Sequence, residues 1–300
     1  VMQIWQRPAA DDVFADNVPL ASRTFPVLSY QRLRFAPDSK TLSVVLRRNH
    51  AELVTCDAGS LTWQIDALPL AIGHVSPDGR LLAGHDADAS EDDHSRLVVV
   101  TRDSQRRVVL SSGDLWHSIV EFSRDGRFIM ARSEQDGAHQ LTTRQADTGE
   151  LVSIVKAKRL RFGWPLPGFS SDSQFLFYSE HRSLDDRDDE RQPAVVRIHY
   201  VHDGRLVREF RIEGGEPWSV AISPDSRQCA VSGELEGSSD RGFIRVFDLE
   251  TGVIKAEITV KDVWGVTAVE FTPDGKFVAA GTSQGDVKLY LLSRVPPGVI

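Results

Sequence analysis

Cysteine is almost missing from this chain: 300 residues hold two, Cys56 and Cys229. Two such distant thiols build no disulfide framework, and each is expected as a small buried apolar residue. Long apolar runs are missing as well, so no membrane-spanning segment is expected. A basic surplus is absent: the formal net charge is −8, which argues against a nucleic-acid surface as the main role. The chemical signatures are absent too. There is no Gly-x-Ser-x-Gly elbow, Walker loop or dinucleotide fingerprint, and no His-Glu-x-x-His, Cys-x-x-Cys or haem-attachment motif. Neither an enzymatic activity nor a cofactor is expected. The chain begins Val1-Met2-Gln3-Ile4-Trp5 with no charged region or cleavage site, so a cytoplasmic protein is expected.

What the chain has is a phrase that recurs six times. It reads Phe35-Ala-Pro-Asp38-Ser, Val75-Ser-Pro-Asp78-Gly, Phe122-Ser-Arg-Asp125-Gly, Phe169-Ser-Ser-Asp172-Ser, Ile222-Ser-Pro-Asp225-Ser and Phe271-Thr-Pro-Asp274-Gly. Successive Asp residues stand 40, 47, 47, 53 and 49 positions apart. A unit of this period is a supersecondary block that cannot bury its apolar face alone and must stack on its neighbours. Composition agrees with a folded protein: 41% hydrophobic and 26% charged residues are ordinary for a globular chain.

The last unit shows the grammar. Val269-Glu-Phe271 alternates as a strand does, Pro273-Asp274-Gly275 supplies a tight turn, and Phe277 to Gly281 is an apolar run expected to be covered on both faces. Ser283-Gln284-Gly285-Asp286 turns again, and Val287 to Leu291 is a third strand. The preceding unit adds a fourth: Ile244 to Phe247, a turn at Asp248 to Gly252, then Val253 to Ile258 running outward. The same second turn recurs at Asp147-Thr-Gly149, Asp203-Gly204 and Asp57-Ala-Gly59. Four short strands per unit without helical periodicity make an antiparallel meander. Six such sheets set radially make an all-β β-propeller.

The turn phrase, the apolar strand after it, the following Asp-Gly and the closing Val-Lys-Leu-Tyr or Ile-Arg-Val-Phe-Asp resemble the WD40-repeat family over residues 24 to 292, with Phe247-Asp248, Cys56-Asp57 and Arg102-Asp103 at the place of the Trp-Asp pair. The expected units run roughly over 24–65, 66–112, 113–160, 161–214, 215–262 and 263–300 of a single domain. Val1 to Trp5 reads as a third strand, so the chain opens in mid-blade, with residues 17 to 25 as an outer strand that pairs with the final unit. The repeat count favours six blades; seven would need strands upstream of Val1 or a unit too divergent to see.

In such a meander the loops between second and third strands share one end of the ring with the links between blades. These loops are acidic: 85–96 holds Asp86, Asp88, Glu91, Asp92 and Asp93; 180–191 holds Asp185, Asp186, Asp188 and Asp189 with Glu180 and Glu190; 234–241 holds Glu234, Glu236 and Asp240. With Glu134 and Asp136 the sum is sixteen acids against five arginines, so the remainder of the chain is slightly basic. Such a field attracts cationic partners, although charge runs also serve simply as solvated faces. Trp116, Trp164, Trp218 and Trp264 precede a turn Asp by 9, 8, 7 and 10 residues, where the link enters the innermost strand. They read either as recognition residues or as seals of the seam between blades; Trp63, on an outer strand, reads as packing.

Asp86-x-Asp88-x-Ser90-x-Asp92 resembles the start of a calcium loop, but Glu91 stands where Gly is needed and Leu97 where Glu is needed. His199 and His202 point to opposite faces of a strand, which defeats joint ligation. No metal site is assigned. The six turn residues Asp38, Asp78, Asp125, Asp172, Asp225 and Asp274 have structural duty. The sequence therefore points to a non-enzymatic scaffold that binds a basic or amphipathic peptide or protein. A propeller hydrolase or lyase with a channel site, and a sensor or spacer domain of a longer chain, are the alternatives.

Overall fold

The computed structural model describes residues 2–4, 21–23, 29–30, 34–35, 41–47, 51–57, 60, 62–67, 70–86, 97–104, 106–111, 120–135, 138–157, 167–180 and 193–292. Every element of regular length among them is a strand, and all pairing is antiparallel. The chain divides into two compact units, Val1–Asp114 and Leu115–Ile300.

In the first unit β1 (Met2–Ile4) pairs with β2 (Ala21–Arg23) as a sheet of its own. Ala21–Arg23 lies within the outer strand expected over residues 17 to 25, and among the described residues its ladder is with β1. β3 (Ser29–Tyr30) and β4 (Arg34–Phe35) both pair with β5 (Thr41–Arg47), followed by β6 (Ala51–Asp57) and β7 (Thr62–Ala67). β8 (Leu70–Val75), β9 (Leu81–Asp86), β10 (Leu97–Thr101) and β11 (Arg107–Ser111) follow in order as a four-stranded sheet. Leu81 to Ala83 and Leu97 to Val100 are all buried, as continuous apolar strands covered on both faces must be.

The second unit holds three complete meanders. These are β12 (Val120–Phe122), β13 (Phe128–Gln135), β14 (Ala138–Gln145) and β15 (Leu151–Ala157); then β16 (Gly168–Phe169), β17 (Phe175–Glu180), β18 (Ala194–Tyr200) and β19 (Leu206–Ile212); then β20 (Gly215–Ile222), β21 (Gln228–Leu235), β22 (Arg241–Asp248) and β23 (Ile254–Lys261). A three-stranded sheet of β24 (Val266–Phe271), β25 (Phe277–Thr282) and β26 (Val287–Leu291) ends it. These are the four-stranded blades of a β-propeller. The described strands thus form seven sheets, of which the first carries no turn phrase.

The core lies between sheets rather than inside any one of them. Met130, Leu141 and Val155 pack on Phe169, Leu176 and Tyr178 of the next sheet. That sheet presents its other face, with Phe177, Val196 and Phe210, to Val231, Phe243 and Phe247. The Phe210 and Phe247 rings stack at 4.5 Å, an arrangement that adds about 0.5–1.5 kcal/mol beyond the burial of area. The following seam joins Ile244, Val246 and Val260 to Val269, Phe271 and Val278. Both cysteines are buried in their sheets. β25 departs from expectation: its burial alternates, with Val278, Ala280 and Thr282 buried and Phe277, Ala279 and Gly281 half-exposed, because only one face of this last sheet is packed in the second unit.

An ion pair links the first and fourth sheets of this unit. Arg124, in the turn of the first, reaches Glu270 on the innermost strand of the fourth at 3.0 Å. The innermost ends of these two sheets therefore lie close together, as blades of a propeller allow.

Candidate functional site

The turn phrase is a small hydrogen-bonded machine. Ser76 Oγ donates to Asp78 Oδ1 at 2.5 Å, Asp78 Oδ1 accepts the Arg80 N–H at 3.1 Å, and Ser76 Oγ accepts the Leu81 N–H at 2.8 Å. The same Ser/Thr-to-Asp bond recurs from Ser123 to Asp125, Ser170 to Asp172, Ser223 to Asp225 and Thr272 to Asp274, at 2.6–2.7 Å. Asp38 lies outside the described residues. The sequence assigns the Asp its backbone bond; the hydroxyl two residues earlier, which orients the carboxylate, is the part it misses. For Asp225 the Ser223 hydroxyl, followed by the Arg227 N–H, holds the carboxyl below its ordinary range despite partial burial. For Asp125 burial pulls upward, but the bonds from Ser123 and Arg127 outweigh it.

The second turn repeats too. Asp57 Oδ1 accepts Ser60 N–H and Oγ–H at 2.6 and 2.8 Å, and Asp248 Oδ1 accepts the same two groups of Thr251 at 2.8 Å. Lys255 adds an ion pair to Asp248 at 3.1 Å. The Thr251 bonds, then Lys255, bring the Asp248 carboxyl down to about 2.

Trp116, Trp164, Asp88, Glu91, Asp92, Asp185, Asp186, Asp188 and Asp189 fall outside the described residues, and Asp86 is the last residue of β9. Glu180 is not a loop residue. It ends β17, is buried, and forms an ion pair with Arg197, which also binds Glu209 at 3.0 Å. Burial, with the nearby Glu180 charge, pushes the Tyr178 hydroxyl up to about 12. His199 is buried and bonded through Nδ1 to the Gly204 carbonyl, whereas His202 is exposed beside Asp203.

Trp218 and Trp264 are both described and differ sharply. Trp218 occupies a bulge of β20, between the Pro217 and Ser219 pairs, and a bulge re-aims its side chain. Its ring lies on the backbone of Gly265, where an added β-carbon would come within 2.3 Å of Cζ3. The link that carries Gly265 also crosses Gly242, where a β-carbon would stand 2.9 Å from the Val266 nitrogen. The Val263 N–H reaches the Asp240 carbonyl at 3.3 Å, so the second-to-third loop and the inter-sheet link meet at one end of this sheet.

Trp264 is 70% exposed. Its backbone is nonetheless fixed: Ser283 Oγ accepts the Trp264 N–H at 2.9 Å and the Gly265 N–H at 3.4 Å, while Ser283 N–H donates to the Gly265 carbonyl at 3.1 Å. Glu234 sits opposite Glu216 on the ladder; burial, then the Glu216 charge, raises the Glu234 carboxyl. Glu236 is exposed on the following turn, and Asp240 pairs with Arg241 at 3.7 Å. Trp63 is half-buried on β7 opposite Cys56. No group of three or more His, Cys, Asp or Glu residues is placed to hold a metal among the described residues. No described helix is long and apolar enough to cross a membrane.

A search of curated proteins finds no sequence match. Among solved structures the chain is similar to one described as Kuenenia stuttgartiensis hydrazine synthase, at 15% identity and a TM-score of 0.49, over 86% of this chain and 94% of that one. The family model "WD domain, G-beta repeat" matches residues 257–290. That span takes in the outer strand of one sheet and the three strands of the next, so the repeat is offset from the sheet by one strand. Residues 257–290 are a WD40 repeat, and its hydroxyl-to-carboxylate turn is found in each of the four sheets before it that precede it directly in the chain.

Proposed function

We propose that this chain is a non-enzymatic protein-interaction scaffold that binds a basic or amphipathic peptide or protein segment. The binding face is the end of the sheets that carries the inter-sheet links and the acidic second-to-third loops. The WD40 repeat supports an interaction propeller in general, and Trp264 carries the reading of the face. A 70%-exposed indole on a backbone fastened three times to Ser283 is a rigid aromatic anchor that loses little entropy on binding. Such residues dominate interface energetics. The carboxylates of Glu234, Glu236 and Asp240 around the same end supply a negative field that steers a cationic partner. Trp218 supports the face from below by seating the link on which Trp264 is carried.

The test is an array of lysine- and arginine-rich amphipathic peptides, with the strongest binder titrated against the wild-type chain and Trp264→Ala. The reading requires a loss of about tenfold or more in affinity for the variant. It also requires weaker binding as salt rises, because surface charges are screened beyond about 10 Å at about 0.1 M. Equal binding by both proteins, or salt-independent binding, contradicts it.

A further inference from the structure

The three complete meanders of the second unit each end in an outermost strand, β15, β19 or β23. The last sheet stops at β26. Its order is β24-β25-β26, and among the described residues no strand pairs with the other edge of β26. An open edge presents unpaired backbone N–H and C=O groups and is a template for another strand. The strand is also apolar: Val287 and Leu289 are 64% and 42% exposed, whereas their counterparts on β22, Ile244 and Val246, are buried.

One side chain indicates what a fourth strand would carry. In the two preceding sheets the third strand places an arginine opposite the residue six positions after the turn Asp: Arg197 opposite Tyr178, and Arg245 opposite Val231. Each arginine meets a glutamate directly across on the outermost strand. Arg197 binds Glu209 at 3.0 Å, and Arg245 binds Glu257 at 2.6 Å. In the last sheet the same place, opposite Ala280, holds Lys288. Lys288 is exposed and makes no ion pair among the described residues. The cation is kept where its acid is missing. Both outermost strands also continue alike after the acid, as apolar, polar, apolar: Glu209-Phe210-Arg211-Ile212 and Glu257-Ile258-Thr259-Val260. Residues 17 to 25 contain no acid.

We propose that the open edge of β26 takes an extended segment of a partner protein as its fourth strand, with a glutamate opposite Lys288 and an apolar-polar-apolar run after it. Main-chain hydrogen bonds along the edge supply the affinity, as in other strand additions. The Glu–Lys288 pair fixes the register, since opposite charges directly across a ladder attract and like charges repel. The first apolar residue after the acid stands opposite Val287, as Phe210 stands opposite Val196 and Ile258 opposite Ile244. This site selects an acid at a fixed place in a strand, so it is separate from the face that takes a basic segment at Trp264.

The probe is a capped peptide with the sequence of residues 253–261, Val-Ile-Lys-Ala-Glu-Ile-Thr-Val-Lys, which spans the outermost strand of the preceding sheet. It is titrated against the isotope-labelled chain by heteronuclear NMR, beside the same peptide carrying Glu257→Lys. Saturable shifts are expected at the amides of residues 287–291, with the Glu257→Lys peptide weaker by about fivefold or more. Lys288→Glu in the chain, at an exposed position, keeps Tm and exchanges the preference, so that the Glu257→Lys peptide becomes the tighter one. Trp264→Ala leaves both affinities unchanged. The proposal is overturned if the peptide fails to saturate, which would leave Lys288 as a guard of the edge alone, if the two peptides bind alike, or if Lys288→Glu does not exchange their order. It is also overturned if the shifts at 287–291 follow the concentration of the chain itself, which would assign the edge to a second copy.

Discussion

The indole of Trp218 and the backbone of Gly265 are in direct contact across the seam between two sheets: a β-carbon at 265 would fall 2.3 Å from Cζ3 of the ring. Only glycine lets the link pass beneath the indole. The contact sets the height of Trp264, the residue immediately before, above the sheet. Trp218 thus acts on packing and Trp264 on solvent, although the sequence presents them as equals.

Gly265→Ala must displace the Trp218 ring, and overpacking of this kind costs about 1–3 kcal/mol. Trp218→Ala leaves a void against the link and is expected to cost at least as much. Trp264→Ala, at an exposed position, stays within about 0.5 kcal/mol of the wild type. Urea denaturation of the three variants checks the ranking; a Trp264→Ala cost matching that of Trp218→Ala would remove the distinction between the two indoles.

Three turn phrases replace the glycine that follows the Asp with serine, and two of these serines, Ser173 and Ser226, are among the described residues. Ser173 and Ser226 sit at φ 59° and 56°, a region that strains side-chain-bearing residues. Each hydroxyl reaches the turn of the preceding sheet: Ser173 Oγ accepts the Asp125 N–H at 3.4 Å, and Ser226 Oγ donates to Asp172 Oδ2 at 2.5 Å. Ser226→Ala keeps the strain and loses the bond, so it is expected to cost about 1–2 kcal/mol. Ser226→Gly loses the same bond but relieves about 1 kcal/mol of strain, so it costs less. Thermal unfolding of the pair checks this, and a glycine variant less stable than the alanine one would contradict it.

The turn carboxylates set the acid limb of stability. Asp125, Asp225 and Asp248 all have folded-state pKa values below the ordinary carboxylate range. Their contribution is complete above the unfolded value of about 4 and is lost as pH falls through the folded values, which for Asp248 extends to about 2. Tm should be insensitive to these groups near neutrality and should fall below about pH 4. Replacing Asp125 and Asp225 together with Asn should flatten that fall; an unchanged acid limb would show that the turn bonds do not hold the charged form.

Arg124 and Glu270 meet with side chains 55% and 59% exposed. A pair so hydrated is worth less than about 1 kcal/mol. A double-mutant cycle with Arg124→Ala and Glu270→Ala is expected to show a small favourable coupling at low salt that vanishes at high salt. A coupling that persists undiminished at high salt would contradict a hydrated, screened pair.

The repeat architecture was readable because each turn phrase needs particular chemistry at fixed places: a hydroxyl, an Asp, and a residue tolerant of positive φ. The strands Met2–Ile4 and Ala21–Arg23 were readable as well, but not their pairing with each other, since no turn phrase marks their register. Glu180 was misplaced because an acid at a strand end reads like a loop acid until its partner Arg197, on the neighbouring strand, is located. The different duties of Trp218 and Trp264 depend on Gly242, Gly265 and Ser283, residues from three segments whose meeting no local pattern announces.

The most direct measurement is the affinity of the strongest array-selected basic peptide for wild-type chain and Trp264→Ala, each at about 50 mM and about 500 mM salt. An interaction face built on the exposed indole predicts a variant that is folded, binds at least about tenfold more weakly, and keeps the wild-type salt dependence. A folded variant with undiminished affinity would contradict it.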